Sequence, residues 1–288
     1  MTSRTWLITG TSRGLGRALV EAALDAGDAV VATVRGDDQL PPHPHLTVLR
    51  LDVRDRAAAF DVVARAHAVT GRIDVLVNNA GYGLIGAAEE VAEDEARAII
   101  DTDLLGPLWL SQAVLPLMRS QRSGHIIQIS TVGAVGTMPT LGLYNAAKWG
   151  LEGFTEAMAA EVARFGIRVT LVQPGEIDTD WAGASMRFAT PLAAYDTLRT
   201  ELFGSAVVPW PTADAPEQTE QAAPAEQTES DASALSPAEA ATAILAHVAD
   251  PGDTRRRVLL GEDAPGQVAA ALDARLTDYE RDPRFTRP

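Results

Sequence analysis

The 288-residue sequence contains no cysteine, which removes disulfides, thiol catalysis and thiolate metal sites. Its histidines are few and scattered: His43 and His45 sit in a Pro-rich turn, and no His-Glu-x-x-His helix occurs, so a metal site is not expected. Basic residues are in deficit, 24 Lys and Arg against 39 Asp and Glu, a net charge of −15. That balance argues against nucleic acid as the main partner, because phosphate backbones need clustered positive charge. Long apolar runs are missing too. The longest, Leu104 to Met118, is broken by Gly106, Pro107, Ser111, Gln112 and Pro116 and is too interrupted to span a bilayer. The N-terminus enters Trp6-Leu7-Ile8-Thr9-Gly10 almost at once, which reads as a strand and not as a signal peptide. A cytoplasmic protein is the resulting expectation.

What is present is a regular alternation over the first 180 residues. Short Val/Ile/Leu runs (Thr5 to Ile8, Ala29 to Val34, Leu46 to Leu51, Val75 to Asn78, His125 to Ile129, Ile167 to Val172) read as strands. Between them lie Ala-rich segments with helical spacing, at Gly14 to Ala26, Arg56 to Thr70, Glu93 to Ile100 and Tyr144 to Phe165. Strands that are apolar throughout and alternate with such helices predict an α/β, doubly wound Rossmann fold: a parallel sheet of about seven strands with helices on both faces. Gly27 and Gly166 follow the ends of two helices and read as C-caps.

The pattern changes after Thr179. Residues 181–210 are mixed and aromatic-containing and are expected to form a substrate-binding lid. Residues 211–237 carry six acidic residues, no basic ones, four prolines and two copies of Glu-Gln-Thr-Glu. Such a stretch buries too little apolar area to offset its ordering entropy, so a disordered acidic insertion is expected there. A helix from Pro237, a strand at Arg257 to Leu260 and a helix near Gln267 to Tyr279 make 238–288 a helix-strand-helix segment expected to complete a single domain spanning 1–288.

Two constellations carry chemistry. Thr9-Gly10-Thr11-Ser12-Arg13-Gly14-Leu15-Gly16 lies between the first strand and the first helix. Its glycines allow a tight turn and close approach of backbone N–H groups to a pyrophosphate, and the helix N-terminus adds partial positive charge. Dinucleotide binders that take NAD usually place a carboxylate after the second strand; here that place holds Val34-Arg35, and Arg13 sits in the glycine turn itself. Two guanidinium groups suit a 2′-phosphate, so NADP(H) is preferred over NAD(H). Tyr144-Asn145-Ala146-Ala147-Lys148 puts a phenol and an ammonium one helical turn apart. The ammonium is expected to draw the phenol's pKa down toward neutrality and make Tyr144 a general acid or base.

Together these motifs resemble the short-chain dehydrogenase/reductase family, in its single-domain branch. Thr9 to Gly16 is similar to that branch's Thr-Gly-x-x-x-Gly-x-Gly, Asp52 to its adenine-ring aspartate, Asn78-Asn79-Ala80-Gly81 to its Asn-Asn-Ala-Gly, Tyr144 to Lys148 to its catalytic pair, and Pro174-Gly175 with Thr179 to the segment bordering the nicotinamide. The resemblance spans Thr5 to Thr179. It implies metal-free hydride transfer between a nicotinamide and a carbonyl or alcohol carbon. It implies Tyr144, Lys148, Thr131 and Asp103 as the catalytic group. The implied cofactor residues are Gly10, Ser12, Arg13, Gly14, Leu15 and Gly16, then Arg35, Asp52 and Val53, then Asn79, Ala80 and Gly81. Tyr144, Lys148, Pro174, Gly175, Ile177 and Thr179 complete that set. Thr131 stands where the family has serine, thirteen residues before the tyrosine, and Asp103 stands where it usually has asparagine. Strand alternation is expected to turn the neighbouring Ser130 to the other face.

Apolar residues in the loops, among them Met138, Leu141, Trp181, Met186, Phe188, Leu192 and Tyr195, point to a fairly hydrophobic small-molecule carbonyl or alcohol as substrate. A homodimer or homotetramer is compatible with the family. The alternative from another class is an NADP(H)-binding sensor with little or no turnover.

Overall fold

The computed structural model describes residues 3–37, 40–177, 185–208 and 234–286. Seven strands form one sheet: β1 (Thr5–Thr9), β2 (Ala29–Val34), β3 (Leu46–Arg50), β4 (Val75–Asn78), β6 (Gly124–Ile129), β7 (Ile167–Pro174) and β9 (Arg257–Leu260). Their order is β3-β2-β1-β4-β6-β7-β9, and every pairing is parallel. The order reverses between β1 and β4. Above the strand C-termini at such a reversal, neighbouring loops diverge and leave a crevice.

Period-two alternation divides the core in two. Trp6 and Ile8 face one side with Leu15, Leu19 and Val20 of α1 (Gly14–Asp25) and Ala241 and Ile244 of α7 (Pro237–Ala249). Leu7 and Leu76 face the other side with Val62 of α2 (Arg56–Thr70), Leu110 and Val114 of α4 (Gly106–Gln121) and Met158 of α5 (Gly142–Val162). Both faces are covered, which is why the strands are apolar throughout. Helix α1 ends before Gly27 (φ +80°), and a short 3₁₀ turn after α5 ends at Gly166 (φ +73°), so both glycines cap as the sequence implies.

Three features differ from the sequence reading. The 81–86 loop contains a strand, β5 (Gly83–Ile85), which pairs in parallel with β8 (Met186–Phe188) in a separate small sheet. Three residues from each of two distant segments leave no periodicity to read. Between α3 (Glu93–Ile100) and α4 lies a π-helical turn, Asp101–Leu105. The last helix, α8, starts at Ala264, three residues before Gln267, with Pro265 in its first turn.

Of the expected lid, residues 185–208 are described and hold β8 and α6 (Asp196–Phe203); 181–184 and 209–210 lie outside the described residues. So does 211–233 of the acidic stretch. Its last residues belong to the fold: Leu235 bridges Ile177, and Ser236 caps α7 by accepting from the Glu239 N–H at 3.2 Å. Among the described residues, no helix is long and apolar enough to cross a membrane.

Candidate active site

A cavity of about 550 Å³ opens where the sheet order reverses. The glycine turn forms one wall, with Gly10, Ser12, Arg13, Gly14, Leu15 and Gly16 all lining it. Gly10 has φ +68°, and a Cβ there would stand 2.8 Å from Ala80 Cα, so the backbone of β1 and of the segment after β4 touch only because residue 10 has no side chain. Thr9 ties the two together: its hydroxyl accepts from the N–H groups of Asn79 (3.0 Å) and Ala80 (3.1 Å). The Asn79 amide donates back to the carbonyls of Thr9 (2.9 Å) and Gly10 (3.0 Å). Asn78 is buried and donates to Gln128 at 2.9 Å, joining β4 to β6.

Arg35, Asp52 and Val53 come from the ends of β2 and β3 and line the same cavity. Asp52 is held by Arg54, at 2.9 Å to Nε and 2.5 Å to Nη2, and this side-chain pairing keeps its carboxyl below the ordinary aspartate range. Asn79, Ala80 and Gly81 line the centre; Pro174, Gly175 and Ile177 close the far side. Thr179 lies outside the described residues.

The four residues expected to be catalytic also meet in this cavity. Tyr144 and Lys148 share a face of α5 and are buried. Thr131, just past β6, is hydrogen-bonded through its hydroxyl to the phenol and accepts from the Gly133 N–H at 3.1 Å. Ser130 does not turn to the other face: it lines the cavity too, and its hydroxyl donates at 2.8 Å to Glu152, one turn beyond Lys148 on the same helix that carries Tyr144. Lys148 Nζ donates to the Ile129 carbonyl at 3.1 Å and lies 3.2 Å from Asp103 Oδ2. Asp103 is fully buried on the π-helical turn; its Oδ1 accepts from the Tyr82 N–H at 3.2 Å. Its Oδ2 faces Lys148 without hydrogen-bond alignment. Gly81 makes room for that carboxylate, since a Cβ there would sit 2.9 Å from Oδ2.

The electrostatics correct one expectation. The Tyr144 pKa is raised well above the ordinary tyrosine value, not lowered. Burial is the largest cause and the Asp103 charge the next; the Thr131 hydrogen bond opposes them only in part. Spacing along a helix shows the ammonium beside the phenol but not the carboxylate that answers it from another element. Burial likewise pushes the Asp103 carboxyl up, against the pull of Lys148.

The family model for short chain dehydrogenase matches residues 4–188. The chain belongs to the short-chain dehydrogenase/reductase family. It is 43% identical over 199 residues to an oxidoreductase, BOA17, of Botryotinia fuckeliana, covering 67% of this chain and 73% of that protein. It is 40% identical over 185 residues to the 3-oxoacyl-[acyl-carrier-protein] reductase FabG of Salmonella typhimurium, covering 62% and 75%. Among solved structures, a short-chain dehydrogenase from Streptomyces avermitilis matches with a TM-score of 0.80 at 34% identity, over 98% of this chain and 99% of that one. A short chain dehydrogenase from Burkholderia cenocepacia, in complex with NADP, matches with a TM-score of 0.70 at 25% identity, over 97% of each chain.

For a short-chain dehydrogenase, the cavity wall includes residues the sequence reading did not single out. Tyr82, Ser185 and Arg187 all line it. Tyr82 directly follows the Asn-Asn-Ala-Gly motif and was within reach of a sequence signal; Ser185 and Arg187 arrive only through the β5–β8 pairing.

Proposed function

We propose that this short-chain dehydrogenase reduces a carbonyl, or in reverse oxidises a secondary alcohol, in a fairly hydrophobic small molecule, using NADP(H) in preference to NAD(H). The observation that carries the reading is a buried phenol, hydrogen-bonded to Thr131 and one turn from Lys148, in the same cavity as a glycine cradle that only a side-chain-free turn can form. The cradle fits a dinucleotide: the glycine turn and the first residues of α1 line the cavity, Arg13 and Arg35 both line it, and Arg35, not a carboxylate, directly follows β2. The NADP complex of the Burkholderia relative supports the same choice.

When bound, the nicotinamide supplies the hydride for reduction. This chain's residues do the rest. Thr131 orients the substrate oxygen, and Tyr144 gives its proton to that oxygen as negative charge develops there. Burial and the Asp103 charge raise the phenol pKa, so the proton stays on Tyr144 until the substrate oxygen takes it. Lys148, held by Ile129 and Asp103, is positioned to bind a ribose hydroxyl and to restore the tyrosine's proton. The described part of the expected lid, 185–208, would cover the substrate; the exposed Met138 and Leu192 add apolar surface on the segments assigned to substrate binding.

The test is Tyr144→Phe. NADPH-dependent turnover of an aldehyde and ketone panel should fall by three orders of magnitude or more, roughly the full general-acid contribution, while NADPH affinity changes little. Surviving turnover overturns the assignment. Tight NADPH binding by the wild-type protein with no turnover on any substrate would point to the sensor.

A further inference from the structure

Arg187 lines the cavity together with Arg13, Arg35 and Lys148. Arg54 is clamped by Asp52 and Lys148 faces Asp103, whereas no carboxylate pairs with Arg187 among the described residues. Its recorded partner is an aromatic face: the guanidinium lies 4.8 Å from the centre of the Tyr82 ring. In a chain with 39 acidic residues against 24 basic ones, an arginine that lines this cavity with no carboxylate partner among the described residues is available to an anionic ligand.

Its backbone position is fixed. Strand β8 pairs with β5 in a register that sets Arg187 opposite Leu84. Two residues earlier on the same segment, Ser185 Oγ accepts a hydrogen bond from Arg13 Nε at 3.2 Å. The segment 185–187 therefore touches the glycine turn at one point and the residue after Asn79-Ala80-Gly81 at the other. Those are the two walls between which the site is read to hold a dinucleotide.

The chemistry points to phosphate. A pyrophosphate bridge carries two full negative charges, and a glycine turn with a helix N-terminus answers them only with partial charge. A guanidinium stacked on a ring through its π-face keeps its in-plane N–H donors available, and those donors match phosphate oxygens. We propose that Arg187, steadied by Tyr82, binds the bridging phosphates of the dinucleotide and so makes the substrate-side strand β8 part of the cofactor site. This rests on the dinucleotide reading given above. The same anionic chemistry could instead be supplied by a carboxylate or phosphate on the substrate, and the experiment separates the two.

Equilibrium binding to the full chain is measured without substrate, using NADPH, 2′-phospho-ADP-ribose and adenosine 2′-monophosphate. Arg187→Ala should weaken the first two by about tenfold or more, the range for losing a charge-assisted contact, and leave the third, which has no pyrophosphate, unchanged. The salt dependence of NADPH binding should become shallower. Arg187→Lys should recover part of the loss, and Tyr82→Leu should cost less than Arg187→Ala. Unfolding midpoints matching wild type guard against a folding effect. Unchanged NADPH affinity in Arg187→Ala overturns the proposal, and if KM for anionic substrates alone rises, the guanidinium reads the substrate. A wild-type protein that binds no dinucleotide would instead overturn the cofactor reading itself, and this inference with it.

Discussion

After burial, Asp103 is the largest influence on the phenol. Its carboxylate raises the Tyr144 pKa and answers the Lys148 ammonium at 3.2 Å. Asp103→Asn removes the anion and leaves Lys148 unopposed, so the phenol pKa should fall. In the alcohol-oxidising direction, where phenolate is the active base, the rising limb of the kcat/KM profile should move to lower pH. An unchanged or upward-shifted limb would show that Asp103 does not act on the phenol. Thr131 gives a separate test. Thr131→Ser keeps the hydroxyl that bonds Tyr144 and should stay within a few-fold of wild type, whereas Thr131→Val should lose roughly 100-fold in kcat/KM, as for a lost oxyanion donor. NADPH affinity should hold in both. The identities of these residues are readable in the sequence; the sign of the pKa shift is not, because it depends on how deep the group lies and on a charge from another element.

At the scale of elements, the segment that follows β8 is fastened by a buried ion pair. Arg199 of α6 donates to Glu90 at 2.5 Å and to Asp196 at 2.6 Å, and both Arg199 and Glu90 are almost fully buried. Glu90 also accepts from the N–H groups of Ala87 and Leu192, each at 2.7 Å. Burial pushes the Glu90 carboxyl up, but these N–H groups and Arg199 together hold it below the ordinary range. Arg199→Met strands that carboxylate and should cost about 3 kcal/mol in denaturant unfolding. Glu90→Gln added to Arg199→Met should recover part of it. If α6 positions substrate, KM rises in the single variant while kcat changes little. The π-helical turn at 101–105 is a second device of this kind. It carries Asp103 to a fully buried place against Gly81 and Lys148, and the sequence does not mark it because the same residues would serve an ordinary helix.

For the whole molecule, the site stands at the strand C-termini, and a separate polar network sits lower in the sheet. His125 of β6 shares the Thr170 hydroxyl of β7 with His247 of α7, at 2.8 Å and 2.9 Å. His247 lies 2.7 Å from Asp253, and Arg168 approaches His125 Nδ1 at 2.9 Å. Burial holds His125 well below the ordinary histidine value of 6.5, helped by the positive charge of Arg168 and by His247 and Arg4, with Asp253 opposing. The folded state therefore favours neutral imidazole, and the unfolded chain binds more protons at mildly acid pH. Stability from this group is present above about pH 6.5 and is lost as pH falls below it. Unfolding midpoints at about pH 7.5 and about pH 5.5 should differ in that direction, and His125→Asn should flatten the difference. This network couples α7 and the loop before β9 to the centre of the sheet, so the C-terminal segment is part of the fold's stability.

The order of strands and helices, the glycine turn and the Tyr-Lys pair are fixed locally, by periodicity, caps and short spacings, and the sequence alone determined them. The residues it singled out for the site, where described, line one cavity. Tertiary structure alone decided the rest: that β8 returns to pair with β5 and bring Arg187 over Tyr82, that Asp103 faces Lys148, and that the phenol's pKa is raised, not lowered. Each of these depends on distances between segments far apart in the chain, and burial and Coulomb energies follow those distances, not the spacing along the backbone.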